Sequence, residues 1–320
     1  MKNPLKQFSL DGLSTCPICD GSSFSNILTG DRYDMKIQTC MCQSCNFIFT
    51  NPYPSEQDMD LFYSNHYWHI YFKSSSNAKA LLKARKIRCE NYLEFIMPEI
   101  KSNIDDLRNI HFIDIGGGEG ILTSLVKDKG LGLTYLVEPS KSERNIATTN
   151  SNADFIMSNL NELNVLLEEK RNDEDITIFT CTHVLEHVSS IDKFFQQLEH
   201  LIREGDFMYV DVPDVMKYEH IKEIHIAHKW HFSISTLAQL FLKFNYHAVK
   251  INSYSPVQHP KSVRALFKKS SNKFNDNHYA LDNKKQLQDI FKNIKSSEII
   301  WNSNINKFRR SVKKMLGKFF

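Results

Sequence analysis

The sequence predicts a mixed α/β protein, in which a sheet with helices on both faces follows a small cysteine-rich module. Three observations lead to this prediction. Short apolar runs typical of buried strands alternate with segments of helical periodicity over about residues 90–270. The first of these runs ends in a cluster of glycines, and two C-x-x-C pairs lie within the first 45 residues. Alternating strands and helices are typical of a doubly wound sheet.

The composition sets broad limits on the function. A chain of 320 residues has room for one large domain or two, and 41% hydrophobic residues supply an ample core. The formal net charge of +3 is close to balance, so no specific nucleic acid is expected as a partner. No early apolar run has a signal-peptide pattern, and none has the length of a membrane span. We therefore expect a cytoplasmic protein whose seven cysteines are metal ligands or buried thiols rather than disulfides.

The cysteine-rich module contains C-x-x-C pairs at Cys16, Cys19 and at Cys42, Cys45, about twenty residues apart. Their spacing predicts a closed, structural Zn²⁺ site of four thiolates, which a segment this short needs in order to fold. The alternative is a set of reduced cysteines in a loop-rich segment. The apolar runs at residues 35–40 and 47–50 predict the strands of a small ribbon.

An aromatic stretch at residues 62–72 follows the module. It either contacts a ligand or packs the module against the rest of the protein. Residues 74–77 are expected to be a linker, and Ala78 to Ile96 is predicted to be a helix that enters the core.

The glycine cluster follows a predicted strand that ends at Ile115. Gly116, Gly118 and Gly120 allow a sharp turn and a close approach of the backbone to a ligand. The helix that follows directs its free N–H groups to the same place. One strand later, Glu138 stands where a carboxylate can accept hydrogen bonds from the hydroxyls of a ribose.

The next elements in the chain continue the same alternation. A third short strand over residues 153–157 precedes Asn159, which is either a contact to a base or a helix N-cap. A fourth strand leads to His183 and His187 in an H-x-x-E-H string, and a fifth covers residues 207–213. A helix over residues 235–244 and two strands near 248–251 and 263–268 complete the predicted sheet.

This order, with the spacing Asp114-x-Gly-x-Gly-x-Gly120, resembles the class I S-adenosylmethionine-dependent methyltransferases over about residues 90–255. The resemblance implies a Rossmann-like, seven-stranded sheet and S-adenosylmethionine as cofactor. It also implies the residues that bind this cofactor, which are Asp114, Gly116, Gly118, Gly120, Glu138, Asn159 and Thr182.

The paired cysteines followed by Phe-x-Phe-x-Asn-Pro resemble the zinc module of bacterial sugar-modifying methyltransferases. This resemblance implies a sugar or glycan acceptor, such as a nucleotide sugar or a surface-polysaccharide precursor. Because the segment beyond the core is shorter than in the C-methyltransferases of that group, we expect O-methylation rather than C-methylation. The alternatives are a non-catalytic scaffold on the same fold and an RNA methyltransferase.

Histidines are the candidates for the proton transfer that an oxygen or carbon acceptor requires. H-x-x-E-H is also a zinc-protease motif, but that motif needs a helix, and here the string follows a strand. Metal-dependent O-methyltransferases carry E-x-x-E-H and a later histidine as a Mg²⁺ site. His183 replaces the first carboxylate of that motif, which weakens a Mg²⁺ assignment.

The second group of histidines lies beyond the fifth strand. The resemblance places the proposed base of the sugar C-methyltransferases at His228, although Ala227 replaces the glutamate before it. The predicted catalytic candidates are therefore His228, His183 and His187, with a structural role or a metal site as the alternatives for His228.

The C-terminal segment has apolar residues at three- and four-residue steps from Trp301 to Phe319, with lysines and arginines between them. Such a basic amphipathic helix predicts contact with a membrane surface or docking on protein. The predicted organisation is a zinc module at 1–55, an aromatic segment and linker helix at 56–98, a methyltransferase core at 99–270 and a basic tail at 271–320.

Overall fold

The structure is a computed structural model that describes residues 8–32, 37–63, 78–102, 104, 106–270 and 280–296. The predicted linker at 74–77, the aromatic residues 64–72 and the basic tail beyond residue 296 lie outside these ranges. Within them, the thirteen strands β1 to β13 are Leu10–Asp11, Phe24–Thr29, Gln38–Cys42, Ile48–Thr50, Tyr53–Pro54, Ile110–Ile115, Leu133–Val137, Phe155–Met157, Ile176–Thr182, Phe207–Pro213, Trp230–His231, Tyr246–Tyr254 and Ser262–Lys269.

The helices alternate with the strands of the core. Helices α1 to α7 are Glu56–Phe62, Ala78–Lys101, Ile121–Asp128, Lys141–Asn150, Leu160–Lys170, Ile191–Glu199 and Ile234–Lys243. A further helix, α8, covers residues 284–296. No described helix has both the length and the apolar character needed to cross a membrane.

The main sheet has seven strands in the order β12-β13-β10-β9-β6-β7-β8. The five strands from β10 to β8 in that order are parallel, and β13 is antiparallel to both of its neighbours. Strands β6 and β10 are buried along their whole length, which is expected of parallel strands covered by helices on both faces. This architecture confirms the predicted Rossmann-like, seven-stranded sheet of the class I methyltransferases.

A second sheet joins the cysteine-rich module to the core. Its order is β11-β4-β3-β2, and β11 comes from the segment that follows β10. Phe47 of the module stacks on Trp230 with a centroid distance of 6.0 Å and also contacts Phe232 at 5.3 Å. One hydrophobic cluster runs from Cys16 and these rings into the main sheet. The segment boundary predicted at residue 55 therefore separates regions that share a sheet and a core.

Candidate active site

A cavity of about 830 Å³ lies at the carboxyl ends of β6, β7 and β9. Open α/β sheets bind their ligands at this edge, because the order of the strands reverses there. Helix α2 forms a side wall of the cavity, and the glycine-rich turn between β6 and α3 forms its floor. Residues that line it include Tyr63, Arg85, Arg88, Tyr92, Asp114, Gly116, Gly117, Gly118, Glu138, Thr182, His183 and His259.

The glycine-rich turn needs glycine for steric as well as conformational reasons. Gly116 has a φ of +69°, and a Cβ at this position would overlap Val184 Cγ2. Gly118 also adopts a left-handed conformation, with a φ of +54°. Such backbone angles are costly for residues with a side chain. The turn therefore exposes bare backbone to the cavity.

Asp114 anchors this turn from below. Its side chain is buried, and it accepts hydrogen bonds from Thr180 Oγ1 at 2.9 Å and from Thr123 Oγ1 at 3.1 Å. Burial raises the pKa of Asp114 to about 6, although the two hydroxyl donors lower it. The carboxyl group thus links strands β6 and β9 to helix α3 beneath the cavity.

Glu138 forms the opposite side of the floor. Its carboxylate accepts hydrogen bonds from the backbone N–H of Gly118 at 3.0 Å and of Ser140 at 2.7 Å. Burial raises the pKa of Glu138, and these two N–H groups oppose the shift. The backbone thereby fixes a carboxylate in the position from which the sequence predicts contact with ribose hydroxyls.

Two of the predicted cofactor-binding residues do not line the cavity. Gly120 is the N-cap of helix α3, where a Cβ would overlap Ser151, so its requirement for glycine is explained by packing. Asn159 caps helix α5, and its side-chain oxygen accepts hydrogen bonds from the N–H groups of Asn161 and Glu162. The structure therefore favours the N-cap role for Asn159 over a contact with a base.

His183 lines the cavity and lies between two carboxylates. Its Nδ1 lies 3.1 Å from Glu186 Oε1, and its Nε2 lies 3.0 Å from Asp211 Oδ1. Burial alone would lower the pKa of His183, but these two carboxylates raise it to about 10. The two carboxylates therefore favour the protonated ring over a ring that accepts a proton. The catalytic role of His183 stays a prediction.

Helix α2 and the β12–β13 loop supply site residues that the sequence analysis missed. Arg85, Arg88 and Tyr92 recur at steps of three and four residues, and this periodicity within the predicted helix was the available signal. His259 contacts the His183 ring at a centroid distance of 4.0 Å. No sequence motif marks His259, which reaches the cavity through the antiparallel pairing of β12 with β13.

Glu186, His187 and His228 form a second cluster, next to the cavity. One potential ligand atom from each lies within 4.8 Å of the others. His187 Nδ1 hydrogen-bonds the carbonyl of Ala227 at 2.8 Å, so Nδ1 carries the proton, and Nε2 lies 3.9 Å from Glu186 Oε1. Within the described part of the chain, the buried atoms Glu186 Oε2 and His228 Nδ1 have no hydrogen-bond partner. Unsatisfied buried acceptors of this kind fit a divalent cation.

The four predicted zinc ligands also converge. The potential ligand atoms of Cys16, Cys19, Cys42 and Cys45 lie within 4.8 Å of one another. The Sγ atoms of Cys16 and Cys45 are 3.6 Å apart, and those of Cys19 and Cys42 are 3.5 Å apart. Cys40 instead points its thiol at the carbonyl of Asn51, at 3.4 Å. The donor set and its closure fit a tetrahedral Zn²⁺ site.

A comparison with known protein families decides the membership of the chain. Residues 82–251, more than half of the chain, match the family described as "Methyltransferase domain". The chain belongs to this family. The match begins in helix α2 and ends in β12, so it includes the glycine-rich turn, Glu138 and both groups of histidines.

Curated relatives of this methyltransferase cover part of its length. A ubiquinone biosynthesis O-methyltransferase of Rickettsia prowazekii is 26% identical over 135 residues, which are 42% of this chain and 52% of the relative. The protein of the same name from Rickettsia bellii is 27% identical over 106 residues, or 33% and 43% of the two chains. The chain thus spans about half the length of the curated relatives it matches.

Two solved structures are similar to part of this chain. Magnesium protoporphyrin IX methyltransferase from Synechocystis PCC 6803 with bound SAH is 12% identical and has a TM-score of 0.45, with coverage of 68% of this chain and 100% of that one. A SAM-dependent methyltransferase from Archaeoglobus fulgidus is 16% identical with a TM-score of 0.45, and the coverage is 63% and 100%.

Proposed function

We propose that this chain transfers the methyl group of S-adenosylmethionine to an oxygen of an acceptor. The observation that carries the proposal is the fixed Glu138 carboxylate opposite a bare glycine-rich backbone, at the edge of the sheet where α/β proteins bind ligands. Glu138 would accept hydrogen bonds from the ribose hydroxyls. Arg85 and Arg88 line the same cavity and offer charge-assisted hydrogen bonds to the carboxylate of the methionine moiety.

We place the acceptor next to His183, where three histidines would act on it. The protonated His183 ring stabilises negative charge that develops on the acceptor oxygen. Burial lowers the pKa of both His228 and His259, so both rings are neutral near pH 7 and each has one nitrogen without a proton. His228 was a candidate from the sequence, whereas His259 is added by the structure.

The Glu186, His187 and His228 cluster supports a second component of the site. These residues would hold a divalent cation, which as a Lewis acid would polarise an acceptor oxygen when bound. The sequence analysis gave this option less weight, because His183 replaces a carboxylate of the Mg²⁺ motif. The structure turns His183 toward Asp211 and leaves one carboxylate and two imidazoles, a donor set suited to Mn²⁺, Co²⁺ or Zn²⁺ rather than Mg²⁺.

Two properties of the acceptor are considered separately, the atom that receives the methyl group and the class of molecule that carries it. Oxygen as the acceptor atom is supported by the relatives, which are named O-methyltransferases. The sugar or glycan predicted from the cysteine module stays a prediction, since those relatives are named for ubiquinone biosynthesis. Zn²⁺ at the four cysteines is proposed as a structural metal.

The first test is native mass spectrometry of the full chain, followed by calorimetric titration with S-adenosylhomocysteine. One zinc per chain and micromolar binding are expected. Transfer of an isotopically labelled methyl group is then measured with UDP-glucose and with 3,4-dihydroxybenzoate as acceptors. Labelled UDP-glucose would support a sugar acceptor, and labelled dihydroxybenzoate an aromatic one. A chain that binds zinc but not S-adenosylhomocysteine would contradict the enzyme function and support the scaffold alternative.

A further inference from the structure

The segment at residues 224–231, here called the histidine segment, carries His225 and His228 toward the cluster with Glu186 and His187. Apart from the two-residue strand β11 and one turn hydrogen bond, from His228 N to the carbonyl of His225 at 2.9 Å, it has little regular structure of its own. Its backbone groups are nevertheless buried, and buried backbone groups need partners. Most of these partners come from the cysteine module, about 180 residues earlier in the chain.

The module contacts the histidine segment at successive positions. The carbonyl of Ile224 accepts a hydrogen bond from the Arg32 N–H at 3.1 Å, and the carbonyl of Ile226 accepts one from the Tyr53 hydroxyl at 2.8 Å. The carbonyl of Lys229 accepts one from the Thr50 N–H at 2.8 Å.

Strand pairing continues this series of contacts. Trp230 pairs with Phe49 and His231 pairs with Ile48, in the antiparallel ladder between β11 and β4. The two elements are thus joined by main-chain hydrogen bonds as well as by the stacking of Phe47 on Trp230.

The opposite side of the segment faces Glu186 and His187. The carbonyl of Ala227 holds His187 Nδ1 at 2.8 Å, and the Lys229 N–H donates to the carbonyl of Glu186 at 2.9 Å. Ile226 and Ala227 are fully buried between the two sides. A displacement of the segment would therefore change the tautomer and orientation of His187 and the position of His228 together.

The four-cysteine site lies at the start of this chain of contacts. Cys42 ends β3, and Cys45 lies in the turn that joins β3 to β4. This turn is closed by hydrogen bonds from Cys42 N to Phe47 O at 2.9 Å and from Asn46 N to Cys42 O at 3.0 Å. Strand β4 has only three residues, and so short a strand depends on its surroundings for its position. Metal at the cysteines would fix this turn and with it the strand that pairs with the histidine segment.

We propose that the cysteine module is a positioning element of the active site. Strand β4 and Tyr53 of the module hold the histidine segment in place. Metal at the four cysteines thereby controls the metal affinity of the cluster formed by Glu186, His187 and His228. Tyr53 is a positioning residue, because it acts through the Ile226 carbonyl. The inference rests on the proposed function for the second metal, but the contact between module and segment can be tested without it.

The first measurement is hydrogen–deuterium exchange of the full chain, with one zinc bound and with none, as verified by native mass. Exchange over residues 224–231 is expected to become at least about tenfold faster without zinc. Strand β9 in the centre of the main sheet serves as the internal control and should be unchanged. Unchanged protection of residues 224–231 after zinc removal would overturn the inference.

The second measurement uses Tyr53→Phe, which removes only the hydroxyl that donates to Ile226. Its matched control is Tyr246→Phe, which alters another buried tyrosine, at the far edge of the main sheet. With zinc retained, Y53F is expected to bind Mn²⁺ roughly 10- to 100-fold more weakly than Y246F, the usual cost of a lost outer-shell partner. S-Adenosylhomocysteine should bind both variants equally, because the Tyr53 hydroxyl donates to Ile226 and not to Glu138 or the glycine-rich turn.

The outcomes separate this inference from the proposed function. Equal Mn²⁺ affinity of Y53F and Y246F would contradict the positioning role of Tyr53. A wild-type chain that binds neither Mn²⁺ nor S-adenosylhomocysteine, but shows the exchange effect, would refute the proposed function and leave the coupling of module and segment in place.

Discussion

The carboxylate of Asp114 accepts a hydrogen bond from Thr180 Oγ1 at 2.9 Å, across the central pair of strands β6 and β9. These residues are 66 positions apart in sequence and directly opposite each other in the ladder. Their contact ties the start of the glycine-rich turn to the strand that delivers Thr182 and His183. The contact therefore fixes the position of one half of the site relative to the other.

The first prediction concerns the pH dependence of stability at Asp114. Burial raises the folded-state pKa to about 6 from an ordinary value of 3.8, so the ionised form destabilises the fold above pH 6. This cost is lost as the pH falls through 6. Relative to Asp114→Asn, the wild type should gain about 2 kcal/mol in unfolding free energy between pH 8 and pH 4.5.

Urea unfolding of both proteins across this range measures the difference. Contributions from groups that the two proteins share, including the cysteines, cancel in the comparison. A difference between wild type and D114N that is independent of pH would show that Asp114 does not titrate in this window.

The second prediction concerns two separate costs of replacing a glycine, which are the strain of a left-handed backbone and the steric overlap of the added Cβ. Gly116 and Gly130 have nearly equal φ values of +69° and +66°, but a Cβ at Gly130 would meet nothing within 4 Å. Gly130→Ala should cost only the left-handed strain, about 1–2 kcal/mol. Gly116→Ala should cost more, because Val184 must also move, and it should reduce S-adenosylhomocysteine binding at least about tenfold.

Thermal unfolding and calorimetric titration of the two variants provide the measurement. Equal stability and equal cofactor affinity for G116A and G130A would contradict the prediction. Such a result would show that the turn tolerates a side chain beside Val184.

The third prediction concerns the charge at Glu138. Glu138→Gln keeps the size of the side chain but removes one charge-assisted acceptor, so S-adenosylhomocysteine should bind about 10- to 100-fold more weakly. Glu143→Gln is the matched control, because Glu143 lines the same cavity without the two backbone hydrogen bonds that fix Glu138. The affinity of E143Q should stay within about threefold of the wild type. The assignment of the ribose site to Glu138 fails if E143Q loses more affinity than E138Q.

The fourth prediction concerns the basic segment that lies outside the described residues. The apolar and basic periodicity of residues 300–320 predicts binding to vesicles that contain anionic lipid. Deletion of these residues should lower co-sedimentation with such vesicles at low salt, and neutral vesicles serve as the control. Unchanged sedimentation of the truncated chain would exclude the tail as the membrane-binding element.

Local sequence carried the prediction of the fold. Strands β6, β7, β9 and β10 are apolar runs because parallel strands are buried on both faces, and such runs are visible without any tertiary information. The glycine-rich turn and Glu138 were identified for the same reason, since each lies at the end of one of these runs. The cysteine pairs were found because metal ligands recur at fixed short spacing.

The sequence by itself determined the seven-stranded sheet, the family and the convergence of the four cysteines, because each depends on patterns within a few consecutive residues. Tertiary structure alone placed His183 between two carboxylates, since Glu186 and Asp211 reach its ring from a neighbouring turn and a neighbouring strand. It also brought His259 into the cavity and placed Tyr53 against Ile226, 173 residues away. The charge of a buried side chain and its contacts with residues distant in sequence depend on which elements pack together. A local sequence pattern does not encode this packing.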